Sequence, residues 1–517
     1  MCCFQHLVRK FDTLIQLNHL SEHGELARER YVREGNGGSK EFIRQLAQSH
    51  PTLTDVQAFR ALSLIETGDL SGARATLHRF ADKGCADYLG VASQLESHLH
   101  NKEQRTVLYE EGCGRDPTNY FVLQAARSVF LGANDFESLR REAERAVALW
   151  PEDAELFSQL TTVFYLSGEL HMMQAALKGA PTWFKASAQF YASSGKLAFA
   201  RHDMREMERE YLQAVATCSG SSSNWSYLSV AQAQLGKLVD AERSAGFALD
   251  VNPREPLAIG TLAKVCRLRG EEEKFRTLHQ RQLTIAPNLK PFDRSYDANV
   301  LLSKGDLKGA LIQLREQAKS LDHLTAAGAE RLILKAFIKS EKWKEAREQL
   351  EKVRSLRIHK CTDDLAEARI ALAEGDRLRS VEILRCAEAD ETVPTDFYPS
   401  ALEIFLKIGD DSEVHRLLNL FYEGQIGNDI PYWKASKILE EAKRPLQSKQ
   451  VLEAGLRTFP SSLNLRLLQY QRVRIEDPAR ASHLYQELPV GIRPGKKVDP
   501  FDVLTRTFKG LINGFRK

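Results

Sequence analysis

Cysteine is scarce in this sequence and follows no functional pattern. The eight cysteines are scattered over 517 residues, without a Cys-x-x-Cys pair and without histidines at the spacing of metal ligands. This distribution argues against a zinc site and against a disulfide framework. We therefore expect no metal and no cofactor, and we expect the cysteines to act as small apolar residues in a reducing compartment.

Long apolar runs are also missing. No segment approaches the roughly 18 consecutive apolar residues of a membrane-spanning helix. Near the start of the chain, Arg9, Lys10 and Asp12 interrupt the stretch that a signal peptide would keep apolar. These two absences predict a cytoplasmic protein.

Motifs of catalysis are absent as well. The sequence has no Gly-x-x-x-x-Gly-Lys phosphate loop, no Gly-x-Ser-x-Gly nucleophile turn and no His-Glu-x-x-His helix. The net charge of +3 is too close to balance to indicate nucleic acid as a partner. We expect a protein that is not an enzyme and does not bind nucleic acid.

What the sequence does contain is self-similarity with a period of 34 residues. A turn followed by an amphipathic helix recurs at steps of 33 to 36 residues, apart from the first step, which spans two short units. Each turn residue is glycine or a polar residue that can end a helix in the left-handed conformation. The turn residues are Gly68, Asn134, Gly168, His202, Gly236, Gly270, Gly305, Glu341, Gly375, Gly409, Lys443 and Glu476.

Prolines give an independent marker of the same period. A proline lacks the backbone N–H and disfavours helix in the residue before it, so it marks the place where a second helix stops. The prolines in this register are Pro51, Pro117, Pro151, Pro253, Pro287 and Pro460. The segment CSGSSSN at 218–224 is then a loop between two units.

One unit, NWSYLSVAQAQLGKLVDAERSAGFALDVNP at 224–253, carries the pattern most completely. It resembles the tetratricopeptide repeat, a helix-turn-helix unit of 34 residues. The residues at the family's aromatic, leucine, turn, small-residue and proline positions are Trp225, Leu228, Gly236, Ala241, Ala245, Ala248 and Pro253. The resemblance implies an all-α, right-handed solenoid of about fourteen stacked units with capping helices at its ends.

Four segments follow from this reading. They are an amphipathic capping helix at 1–19, the solenoid at 20–488, a linker at 489–498 and a basic amphipathic helix at 499–517. A single unit cannot bury its apolar stripes alone, so neighbouring units must share one continuous core.

The resemblance also implies a concave groove that binds a protein segment. In the family, groove positions lie ten, six and three residues before the turn residue and share one helix face. Read off in the middle of the chain, these positions are rich in cations and predict a site for an acidic segment. The predicted peptide-binding residues are Lys264, Arg267, Asn299, Arg331, Lys335 and Arg369. The alternative is that they are ordinary solvated charges of divergent repeats.

The end of the chain lies outside the 34-residue register. From residue 493 onward, seven basic and two acidic residues give a charge of +5, so the rest of the chain carries −2. Asp499 and Pro500 form a helix start, and the apolar residues after them share one face. The residues predicted to dock on a membrane or partner are Phe501, Leu504, Arg506, Phe508, Lys509, Leu511 and Phe515.

Two functional hypotheses result. The leading one is a cytoplasmic, non-catalytic scaffold or adaptor that binds a protein segment in the groove. The alternative is a peripheral membrane-associated assembly factor, for example for envelope or polysaccharide machinery, whose C-terminal helix binds an anionic membrane surface. The apolar face of that helix would equally cap the last unit, and the sequence leaves this choice open.

Overall fold

Helices paired into hairpins make up the described chain. The structure is a computed structural model that describes residues 20–99, 101–133, 135–285, 298, 301, 306–318, 323–355, 361–390 and 393–490. No strand occurs within these ranges. The all-α solenoid predicted from the sequence is confirmed.

The helices of the first half are α1 (Glu22–Ser49), α2 (Thr54–Glu66), α3 (Leu70–His78), α4 (Ala86–His98), α5 (Lys102–Arg115), α6 (Tyr120–Ala133), α7 (Phe136–Leu149), α8 (Ala154–Ser167), α9 (Leu170–Lys178), α10 (Thr182–Lys185), α11 (Ala188–Ala200), α12 (Met204–Thr217), α13 (Ser222–Gln234) and α14 (Leu238–Val251). Those of the second half are α15 (Pro256–Arg269), α16 (Glu272–Ile285), α17 (Leu307–Ala318), α18 (His323–Lys339), α19 (Trp343–Ser355), α20 (Cys361–Ala373), α21 (Arg377–Glu388), α22 (Phe397–Ile408), α23 (Asp411–Tyr422), α24 (Asp429–Glu441), α25 (Pro445–Thr458), α26 (Leu463–Glu476) and α27 (Pro478–Glu487).

Left-handed turn residues join the two helices of a unit, as predicted. Positive φ angles of 56° to 89° occur at the predicted turn residues Gly68, Gly168, His202, Gly236, Gly270, Glu341, Gly375, Gly409 and Lys443. The last unit differs, because α26 runs through the predicted turn residue Glu476 and Asp477 (φ −144°) caps the following helix, which starts at Pro478.

An aspartate directly after the turn often starts the second helix. Asp69, Asp203 and Asp410 each accept a hydrogen bond from the backbone N–H three residues further on. Such a cap satisfies one of the free N–H groups of a helix start and contributes about 1 kcal/mol. The left-handed turn residue and the aspartate cap together determine where one helix ends and the next begins.

The core runs continuously between the stacked hairpins. At the close crossing in the best-matching unit, Ala241, Ala245 and Ala248 are fully buried. Larger side chains fill the wider crossings: Tyr432 packs edge-on against Phe421, with 5.1 Å between the ring centres. Small residues allow close helix approach, and aromatic rings supply most of the buried area elsewhere.

The superhelix is wound tightly enough that units far apart in sequence touch. A first contact joins residues 35–38 to residues 218–220, where the Gly37 N–H donates to Gly220 O at 2.8 Å. A second joins residues 201–205 to the loops at 395–396 and 424–427, where the Arg205 N–H donates to Gly427 O at 3.1 Å. We call these two contacts the N-terminal seam and the C-terminal seam.

Replacing a core ring should unfold the C-terminal units far more readily than replacing an exposed leucine. Phe421 is fully buried and Leu378 is 85% exposed. We expect Phe421→Ala to lower the free energy of unfolding by about 3 to 5 kcal/mol and Leu378→Ala to change it by less than about 0.5 kcal/mol. Urea denaturation followed by circular dichroism measures both, and equal costs would contradict the packing described.

Candidate functional site

The first helices of the units line the inner side of the superhelix. Consecutive first helices, such as α4 and α6 or α13 and α15, contact each other directly, whereas contacts between consecutive second helices are sparse. A stack of hairpins curves toward the side on which neighbours lie closer. The first helices therefore form the concave face.

Equivalent positions on neighbouring first helices meet on this face. Lys196 Nζ donates to Thr162 Oγ1 at 2.9 Å, and Arg369 Nη2 donates to Glu403 Oε2 at 2.7 Å. The partners are 34 residues apart in both pairs. Each of the four lies six residues before a turn residue. This position of one unit therefore forms a polar contact with the same position of the next unit.

Most of the predicted groove cations are engaged with side chains of the chain itself. Arg331 donates from Nε and Nη2 to both carboxylate oxygens of Asp363, at 2.9 Å each. The guanidinium of Arg267 lies 5.0 Å from the centre of the Phe275 ring. Lys335 is exposed on α18. The charges that were predicted to attract an acidic segment are in part neutralised between neighbouring units.

Lys264 departs most from the prediction. It was expected at the groove surface, but it is 1% exposed. Burial lowers the pKa of Lys264 well below its ordinary value, opposed by the nearby charge of Asp429 at the start of α24. Asp429 also accepts hydrogen bonds from the Ser462 hydroxyl and from Asn464 Nδ2, and burial raises its pKa. Lys264 thus joins two distant units and is not available to a peptide.

The remaining predicted site residues lie outside the described part of the chain. They are Asn299 and the C-terminal set Phe501, Leu504, Arg506, Phe508, Lys509, Leu511 and Phe515. Their proposed roles stay predictions.

The sequence reasoning missed a mixed-charge cluster on the inner face of the N-terminal half. Glu66, Arg127, Glu155 and Lys196 come from the first helices α2, α6, α8 and α11, and their charges influence one another. Protein surrounds them inside the superhelix, yet none of the four is fully shielded from solvent, and Arg127 is exposed. We call these four residues the inner cluster.

The environment of the inner cluster shifts its acids and its lysine toward their neutral forms. Burial raises the pKa of Glu66 to about 8, helped by the charge of Glu155. Burial also raises the pKa of Glu155. For Lys196, burial and the charge of Arg127 lower the pKa to about 8, against the opposing charge of Glu155. Near neutral pH the cluster therefore carries more positive than negative charge.

A tyrosine from the first unit covers part of this cluster. Tyr31 on α1 is 5% exposed, and burial together with the charges of Glu66 and Glu155 raises its pKa well above the ordinary value. A small pocket of about 10 Å³ lies beside the cluster and is lined by Arg127, Gln159 and Thr162. It has room for a single water molecule.

One signal for the cluster was present in the sequence. Lys196 lies six residues before the turn residue His202, in the same register as Lys264 and Lys335. Arg127 and Glu155 lie seven and thirteen residues before their turn residues, outside the three positions used for the prediction. Their convergence depends on the curvature of the superhelix, which no local pattern encodes.

Two kinds of site were also sought among the described residues. Within the ranges that the structure covers, no group of three or more His, Cys, Asp or Glu side chains is placed to hold a metal ion. In the same ranges, no helix is long and apolar enough to cross a bilayer.

The hairpins, their 34-residue spacing and their left-handed turns decide the fold. The chain has the fold of a divergent tetratricopeptide-repeat solenoid. No family model matches this solenoid chain, and no curated protein matches it. The assignment rests on the repeats themselves.

Solved structures similar to the solenoid share little sequence with it. One is the hetero-tetramer Cut9–Hcn1 of the APC/C, at 12% identity over 94% of this chain and 92% of that chain, with a TM-score of 0.43. Another is a human IFIT1 dimer with PPP-AAAA, at 14% identity over 75% of this chain and 94% of that chain, with a TM-score of 0.37. The yeast Tom70 structure has 11% identity over 83% of this chain and 96% of that chain, with a TM-score of 0.29.

The buried pair Lys264 and Asp429 should behave as a coupled unit. We expect Lys264→Met and Asp429→Asn each to lower the free energy of unfolding by about 3 to 5 kcal/mol, because each leaves a buried polar partner behind. The double variant should cost less than the sum of the two. Urea denaturation of all four proteins measures this, and strictly additive costs would show that the two residues do not interact.

Glu66 should make stability depend on pH. Its pKa is about 8 in the folded chain and near 4.5 when unperturbed, so the folded chain retains a proton that the unfolded chain releases. The contribution is complete below pH 4.5 and is lost as the pH rises through 8. Glu66→Gln should therefore melt at a higher temperature than the parent at pH 8.5, with a smaller gain at pH 5. A gain that is the same at both pH values would contradict the raised pKa.

Proposed function

We propose that this protein is a non-catalytic scaffold that binds an acidic segment of a partner protein along the concave face of its N-terminal half. The observation that carries the proposal is the pair of cations Arg127 and Lys196, held in a partly enclosed surface by the first helices α6 and α11, two units apart in the stack. Arg127 forms no ion pair within the described part of the chain. Its exposed guanidinium is accessible to a carboxylate of a partner, which competes with the more distant charge of Glu155.

The electrostatics of the inner cluster favour an anionic group over a cationic one. A cation bound near Glu66 would require this carboxyl to lose a proton that it retains up to about pH 8. A carboxylate bound near Lys196 meets an ammonium that is still largely protonated at neutral pH and is crowded by Arg127. An incoming negative charge relieves the repulsion between these two cations.

The surroundings suit a peptide. The same face offers the side chain of Gln159 beside Arg127, and the buried Thr162 hydroxyl holds Lys196 in place. Charge-assisted hydrogen bonds to carboxylates are about twice as strong as neutral ones, and an arginine can bind both oxygens of one carboxylate. A curved stack of helices presents such groups in a row, which matches an extended chain.

The test uses a fluorescein-labelled decapeptide of glutamate, with binding followed by fluorescence anisotropy. We expect the double variant Arg127→Gln with Lys196→Gln to bind at least about tenfold more weakly, since it loses two charge-assisted contacts. The affinity of the parent protein should also fall as the pH rises through about 8, where Lys196 loses its proton.

The matched control is Arg369→Gln, which removes a concave-face cation that is paired with Glu403. This variant should bind the peptide like the parent, and circular dichroism should show unchanged helix content in all variants. Equal binding by the parent and the double variant, or an equally large loss in the control, would contradict the proposal.

A further inference from the structure

Four glycines bring the first unit against the loop between α12 and α13, five to six units further along the chain. The segment Gly35, Asn36, Gly37, Gly38 faces Gly220 in the N-terminal seam. A Cβ atom on Gly220 would lie 2.4 Å from Glu34 O and 2.4 Å from Gly38 N. Backbone meets backbone here, and the contact needs glycine.

Several other contacts of α1 with later units are polar, although Val32 also packs against the apolar core of those units. Arg28 Nη1 pairs with Asp153 Oδ2 at 2.6 Å, at the start of α8. Gln189 Nε2, on α11, donates to Val32 O at 3.0 Å. Water can replace hydrogen bonds of this kind with little loss, whereas the apolar contacts between stacked units have no such replacement. A contact between units that is mostly polar therefore opens more readily than the apolar stacking of neighbouring units.

Helix α1 covers part of the inner cluster. Tyr31 on α1 interacts with Glu66 and Glu155, and Arg28, one turn earlier, pairs with Asp153. The interactions of α1 thus reach the helices α8 and α11, which also carry Glu155 and Lys196. A partner segment that reaches these groups must pass α1.

We propose that the first unit, α1, is a lid over the inner cluster, closed by the N-terminal seam, and that it lifts to admit the bound segment. This inference rests on the proposed function for its purpose and names how access to that site is controlled. On opening, the hydrogen bonds of Gly37 and Val32 and the ion pair of Arg28 pass to water, while the apolar contacts of α1 with α2 hold the first unit on the solenoid.

The test measures opening directly and needs no partner. Gln124, on α6, is 7% exposed and donates to Tyr120 OH, whose ring lies close to Arg28 and Asp153. In a Gln124→Cys reporter, the rate of maleimide labelling, followed by peptide mass spectrometry, reports how often the lid is open. The exposed Cys386 serves as the internal reference.

Gly220→Ala forces the backbones of the seam apart, so we expect it to raise the labelling rate of the reporter at least tenfold. Gly246→Ala is the matched control, because a Cβ there meets nothing within 4 Å, and it should leave the rate unchanged. Arg28→Gln, which removes the ion pair with Asp153, is a second opening variant should the first fail to fold. Circular dichroism identifies the variants that remain helical.

Unchanged labelling in folded Gly220→Ala and Arg28→Gln would overturn the lid, as would equal acceleration in Gly246→Ala. The proposed function fails separately, through the glutamate decapeptide. If labelling responds and the parent protein does not bind the peptide, the lid stands and the acidic ligand is wrong. If the parent binds and labelling does not respond, the ligand stands and the lid is wrong.

Discussion

A backbone constraint at one residue of most units underlies this structure. The residue between the two helices of a hairpin adopts a left-handed conformation, which reverses the chain within a few atoms and lets the next residue cap the second helix. Glycine meets this demand without a steric penalty. At His202, Glu341 and Lys443 a side chain tolerates the same conformation at a cost of about 1 kcal/mol, which the surrounding hairpin offsets. Every crossing angle and inter-unit contact depends on these reversals.

Much of the fold could be predicted because it is encoded locally. Turn residues, prolines and apolar stripes recur within windows of 34 residues, and the structure has its hairpins where they indicate. Pairs such as Arg369 and Glu403 could also have been predicted from the sequence, since their separation of 34 residues places them on adjacent units. The sequence analysis treated such cations singly and did not look one repeat ahead for a carboxylate.

The site was harder to predict because it depends on how the superhelix closes. Lys264 has the position of a groove residue in its own unit, yet it is buried close to Asp429 of a distant unit. Conversely, Glu66 and Lys196 lie four units apart, and they belong to the same cluster only because the stack curves. The resulting enclosure raises the pKa values of two carboxyls and lowers that of a lysine while leaving all three in reach of water. That combination suits a surface that changes its charge when a ligand arrives.

The seam also bears on how this chain can vary. Solenoids commonly gain or lose whole repeats, since each unit contacts only its neighbours. Here the hydrogen bond from Gly37 to Gly220 ties the first unit to one particular later loop. Inserting or deleting a repeat between them would present a different loop to Gly37. This contact therefore ties the number of repeats in the stretch to the geometry of the closed turn.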